Sequence, residues 1–123
     1  MSASYTIALD AMGGDNAPVI VVKGADLARR RFPDIQFRMF GDEARIMPLI
    51  ARRKRLREIT EIVHTDNVIS SDMTVSVAIR KGRQSSMQLA IDAVRDGEAQ
   101  GIVSAGNTGA LMAMAKLSLR TLP

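Results

Sequence analysis

The chain has 123 residues, 46% of them apolar and 24% charged, with a mean hydropathy of +0.03. That is one domain's worth of core-forming chain, which excludes disorder as its bulk state. Seventeen Lys and Arg against 13 Asp and Glu give a net charge of +4, and with no Cys and one His the sequence excludes disulfides, thiolate metal ligands, a cysteine acyl-enzyme and a His-rich metal site. The absence of Cys also fits a reducing compartment.

Strand and helix patterns alternate along the chain, the signature of a mainly parallel α/β sheet. Tyr5 to Asp10 reads as a strand ending at the Gly13-Gly14 turn. Pro18 then suits the first turn of a helix whose apolar side uses Val21, Val22, Ala25 and Ala28. Phe32-Pro33-Asp34 breaks that helix, Ile35 to Phe40 reads as a second strand, and Gly41-Asp42 leads into a helix carrying Ile46, Leu49 and Ile50, with Pro48 disturbing its boundary. Ile59 to Val63 is a third strand, and Asp66 to Ser76 is polar, without a period, and reads as a loop or short helix entry. Ser85 or Ser86 caps a helix running to about Asp96, with Leu89, Ala90, Ala93 and Val94 on one face and Gly97 closing it. Gly101 to Ser104 is a fourth strand and Thr108 to Leu122 the helix after it.

The longest uninterrupted apolar run, Ala110 to Ala115, is far short of the ~20 residues a membrane-spanning helix needs. The N-terminus lacks the apolar core of a secretion signal. The chain stops where the alternation calls for another strand, so the expectation is an N-terminal piece of a larger protein, or a sheet completed by a partner.

Two segments carry the pattern of a ligand site. Ser104-Ala105-Gly106-Asn107-Thr108-Gly109-Ala110 joins a strand to a helix. Its small residues let a ligand approach the backbone, and the first-turn amides of the helix face an anion with the helix dipole behind them. The other reading is a helix cap by Asn107 or Thr108 with the glycines serving packing. The segment lacks the Gly-Lys-Ser/Thr ending of a Walker A loop and the Gly-x-Gly-x-x-Gly fingerprint, which weighs against an ATPase and an ordinary dinucleotide site. Asp10-Ala11-Met12-Gly13-Gly14-Asp15-Asn16-Ala17-Pro18 is a second strand-to-helix turn, in which two carboxylates flank two glycines. They could orient a hydroxyl or amide, position Lys81 or Arg83, or hold Mg²⁺; alternatively Asp15 or Asn16 simply caps the helix. The two loops share a site only if their strands end side by side.

Ile7 to Asp15, Phe40-Gly41-Asp42-Glu43, Ile62-Val63-His64, Ser85-Ser86-Met87 and Ser104 to Met112 occur in the order found in the PlsX family of phosphate acyltransferases, which the sequence resembles over almost its whole length. The resemblance implies a fold similar to that of isocitrate and isopropylmalate dehydrogenases, incomplete in this chain, with residues 1–123 forming the N-terminal part of a single catalytic domain. It implies transfer of a fatty acyl group from acyl carrier protein to inorganic phosphate for phospholipid synthesis, in a cytoplasmic homodimer that associates peripherally with the inner face of the membrane. Metal, cofactor and nucleic acid have no place in it. Asp72-Met73-Thr74-Val75 stands where many members carry Asp-Asp-Lys-Pro, so a role resting on that lysine does not transfer here.

On this reading Asn107, Asp10, Asp15 and Lys81 are the catalytic candidates, and Gly13, Gly14, Ser104, Gly106, Thr108 and Gly109 the substrate-binding ones. Phosphate is anionic at neutral pH and a thiolate leaves without much protonation, so the protein must chiefly hold phosphate and stabilise the tetrahedral oxyanion. The loop amides from Gly106 to Gly109 suit that task, and Lys81, Arg80 and Arg83 could balance charge.

The alternatives are a dehydrogenase related by fold and a basic module binding nucleic acid or anionic membrane. The latter rests on Arg52-Arg53-Lys54-Arg55-Leu56-Arg57, which reads first as a solvated face and otherwise as a patch for an acidic partner. His64 is given no role, and Met112 and Met114 are expected to pack a core.

Overall fold

The computed structural model describes residues 4–70, 73–106 and 108–119. Its elements in chain order are β1 (Tyr5–Asp10), α1 (Val19–Arg31), β2 (Ile35–Gly41), α2 (Glu43–Ala51), α3 (Lys54–Glu58), β3 (Thr60–His64), α4 (Val75–Lys81), α5 (Ser86–Arg95), β4 (Gly101–Val103) and α6 (Thr108–Leu119). The four strands form one sheet in the order β3-β2-β1-β4, and every pairing is parallel. Parallel neighbours need crossovers, and helices supply them on both faces.

On one face α1, α2 and α3 cover a core built from Leu9, Val22, Ile35, Phe37, Met39, Ile46, Ile50 and Leu56. On the other, α5 crosses β1, β2 and β4, where Ala90 and Ala93 meet Ala8, Phe40 and Ala99. Small side chains on both partners let this helix lie close to the sheet. Beyond α5, α6 packs against it and α4 packs against α6, in a cluster of Ile69, Ala78, Met87, Ile91, Ala110 and Met114.

Several local expectations change. Pro18 is the N-cap residue of α1 and lies outside its first turn, and α1 has no side-chain cap, so neither Asp15 nor Asn16 serves as one. Pro48 sits inside α2 without ending it. Proline lacks the N–H that would bond the Ala44 carbonyl one turn back, and Ala44 is on the exposed side of α2. No helix was expected at α3, whereas α4 starts at the end of the stretch read as a loop or short helix entry. Each is short, and each buries one apolar residue completely, Leu56 and Ala78. Of the two methionines, Met114 is buried, whereas Met112 is 69% exposed.

Candidate functional site

Strand order decides whether the two glycine loops meet. From β1 the chain steps to β2 and then β3 on one side, and returns to place β4 on the other side of β1. The crevice between the C-terminal ends of β1 and β4 is therefore the switch point of the sheet, the place where open α/β sheets bind ligands. The register Ile7↔Gly101, Ala8↔Ile102, Leu9↔Val103 brings Asp10 level with Ser104.

Asp10 is 3% exposed, and both of its carboxylate oxygens are engaged. The Ser86 hydroxyl donates to Oδ1 at 2.5 Å and the Met12 amide at 3.3 Å; the Ser104 hydroxyl donates to Oδ2 at 2.9 Å. One carboxylate thus ties together the end of β1, the first turn of α5 and the loop after β4. Ser85 makes this possible by taking the capping role: its Oγ accepts from the Gln88 amide at 3.1 Å and donates to the Gly82 carbonyl at 2.6 Å, which leaves Ser86 to face inward.

The loops touch through their glycines. A Cβ on Gly13 would lie 2.8 Å from Asp10 Oδ2, 2.9 Å from the Gly106 nitrogen and 3.0 Å from Ser104 Oγ. Gly14 adopts φ +92°, a left-handed conformation that glycine takes without strain, and faces the Ala105 carbonyl. Gly13 is a contact residue between the loops and Gly14 a conformational one.

Ser104 Oγ also accepts from the Gly106 amide at 3.2 Å. Ser104 and the Gly106 amide are thereby committed to holding the loop in shape. The remaining helix-start amides of the segment are those of α6, a 12-residue helix that Thr108 and Gly109 open, with Gly109 exposed. Asn107 lies outside the described residues. Asp15 is exposed on the crest of its loop, beyond the buried carboxylate of Asp10. Lys81, Arg80 and Arg83 are exposed at the C-terminal end of α4 and just after it; Lys81 is tied to the neighbouring loop through its carbonyl, which accepts from Asn67 Nδ2 at 3.3 Å. His64 Nδ1 accepts from the Glu43 amide at 3.1 Å and so caps α2, a structural use. Among the described residues no three His, Asp or Glu side chains come together as a metal site.

A second buried carboxylate went unnoticed in the sequence. Asp26 of α1 is 2% exposed and receives Arg29 Nε at 2.7 Å, Arg53 Nη1 at 2.7 Å and Arg30 Nη2 at 3.3 Å. Burial alone would raise its pKa, but the hydrogen bonds and charges of Arg29 and Arg53 outweigh it and hold the carboxyl below its ordinary value. Arg53 therefore does not belong to a merely solvated face. An acid with arginines three and four residues later, on the face that carries Val22 and Ala25, was the available signal.

The sequence model of a family described as "Fatty acid synthesis protein" matches residues 5–123. The chain belongs to this family. It is 60% identical over 123 residues to a phosphate acyltransferase of Rhodospirillum rubrum, 55% identical over 123 residues to one of Rhodospirillum centenum, and 56% identical over 124 residues to one of Azorhizobium caulinodans. Each match covers all of this chain and 35% of the relative, so the chain spans about a third of the length of the curated relatives it matches. The motifs that carry the PlsX resemblance include both loops of the switch-point crevice. No helix among the described residues is long and apolar enough to cross a membrane.

Proposed function

We propose that the whole protein transfers a fatty acyl group from the thioester of acyl carrier protein to inorganic phosphate, and that residues 1–123 supply the N-terminal part of its single α/β catalytic domain. The observation that carries the reading is the crevice between β1 and β4, where a glycine turn and a helix N-terminus from two motifs of a phosphate acyltransferase family lie side by side. In the reaction a phosphate oxygen attacks the thioester carbonyl, the carbonyl electrons move onto oxygen, and collapse of the tetrahedral intermediate breaks the C–S bond. Acyl phosphate and the carrier thiolate leave. The reaction as written needs neither metal nor cofactor.

In this reading Asn107 and the amides of Thr108 and Gly109 meet the phosphate or the oxyanion, and Asp15 and Lys81 are the further catalytic candidates. Asp10, Ser104, Gly13, Gly14 and Gly106 fix the shape of the crevice. Donors held in place before the reaction cost no reorganisation during it. A cytoplasmic homodimer, peripheral at the inner face of the membrane and without nucleic acid, completes the proposal.

The test is Asn107→Ala in the full-length protein, assayed for phosphate-dependent acyl phosphate formation alongside urea unfolding. Loss of an oxyanion or phosphate donor lowers kcat by about 10²- to 10³-fold, whereas loss of a helix cap costs about 0.5–2 kcal/mol of stability. Wild-type turnover with a lowered unfolding midpoint would reduce Asn107 to a cap and remove the central donor from the proposal.

A further inference from the structure

On the face of the sheet carrying α1, α2 and α3, away from the crevice between β1 and β4, a groove of about 750 Å³ runs between α1 and the α2–α3 turn. Seven of the chain's 17 cationic residues line it, with Asp26 as its single acidic lining residue. Asp26 is buried at the base and already shared by Arg29, Arg30 and Arg53. Lys23 on one wall and Arg52, Lys54 and Arg55 on the other form no ion pair among the described residues and are exposed. Val19, Val22, Pro48 and Leu49 add apolar surface within the recess.

We propose that this groove docks a helix of an acidic partner protein, one whose carboxylates meet both walls while apolar side chains between them reach Val19 and Leu49. Three features select that occupant. The charge is concave, so a ligand must enter the recess, as a protruding helix does and a flat bilayer does not. The mixture of cationic walls and apolar surface matches an amphipathic acidic helix. No aromatic residue lines the groove to stack bases, as sequence-tolerant binding of single-stranded nucleic acid uses. The Asp26 carboxylate pins Arg29 and Arg53, so part of the charged surface is ordered before any partner arrives. The groove deepens the acyl-transfer reading, on which it rests for the identity of the partner as the protein that carries the acyl donor.

The experiment uses the full-length protein and apo acyl carrier protein from the same organism as the probe. Arg52→Gln, Lys54→Gln and Arg55→Gln together should raise Kd tenfold or more at low salt and flatten its salt dependence, while turnover on a carrier-free acyl thioester stays at the wild-type level. Lys23→Gln on the opposite wall should weaken binding as well. Arg57→Gln, in the same basic run but outside the groove lining, should leave it unchanged. Unaltered affinity in the triple variant overturns the proposal, as does equal weakening by Arg57→Gln, which would reduce the effect to net charge. Loss of binding to phosphatidylglycerol vesicles with carrier binding intact also overturns it and makes the face a membrane surface. A protein that binds the carrier through this groove but turns over no thioester supports the docking surface and sinks the acyl-transfer reading instead.

Discussion

Ser86, in the first turn of α5, donates a 2.5 Å hydrogen bond to the carboxylate of Asp10 at the end of β1, 76 residues earlier in the chain. Both groups are buried, at 0% and 3% exposure, so neither can exchange its partner for water without opening the site. Asp10→Ala would strand the hydroxyls of Ser86 and Ser104, and is expected to cost about 1.5–3 kcal/mol in urea unfolding, the range for hydrogen bonds to charged groups. Ser86→Ala should cost less, because Asp10 keeps its other donors. An unchanged unfolding midpoint in Asp10→Ala would show that the three elements hold together without the carboxylate.

Gly13 and Gly24 form a matched pair. A methyl at position 13 enters a space already filled by Asp10, Ser104 and the Gly106 backbone, so Gly13→Ala should destabilise by about 1–3 kcal/mol. A methyl at position 24, inside α1, meets nothing within 4 Å, so Gly24→Ala should stabilise by about 0.5–1 kcal/mol through helix propensity alone. Opposite shifts in thermal unfolding are the expected result. Shifts of the same sign would refute the contact geometry at Gly13.

Asp26 gives the chain a pH signature. Its carboxyl lies below the ordinary value in the folded state, so the stabilisation it brings is complete above the ordinary carboxyl pKa and is lost as pH falls through the lower folded value. Asp26→Asn should therefore be less stable than wild type at neutral pH, by about 1.5–3 kcal/mol. The gap should narrow as the pH drops below about 4. Urea titrations of both proteins between pH 2 and 7 measure it, and a gap that stays constant would remove Asp26 as the source.

The first turn of α5 separates two adjacent serines. Ser85→Ala removes the cap and should cost about 0.5–2 kcal/mol, but leaves the Asp10 contacts in place. Hydrogen exchange should then quicken at the start of α5 and stay slow in the loop around Gly106 under Ser85→Ala, with the loop quickening under Ser86→Ala. Identical exchange patterns in the two variants would erase the division of labour.

All four strands were legible as short runs rich in β-branched and aromatic residues, β1, β2 and β4 each with Gly or Asp at an end or beside it, and their parallel pairing followed from the helices between them. The helix α3 was not, and α4 was foreseen only as a short helix entry, since a five-residue and a seven-residue helix with one fully buried apolar side chain each leave no 3.6-residue period to detect. Both glycine loops were found by residue type, yet only strand order could say that they meet. Ser86 was visible merely as an alternative cap, because the direction of a serine hydroxyl depends on where a distant strand ends. Asp26 was hidden inside a helix that otherwise reads as apolar on one side and basic on the other.

The position of β4 also sets the order in which the molecule can be assembled. Tyr5 meets Ile35 and Phe37 meets Thr60, short excursions along the chain, whereas Ser104 must travel back across 94 residues to reach Asp10. Closing the longer loop costs more chain entropy, so β1, β2 and β3 are expected to pair before β4 joins. Until then Asp10 lacks its Ser104 donor. The crevice is thus a late product of folding, and any ligand that bridges its two loops will slow the parting of β4 from β1 more than the parting of β2 from β3.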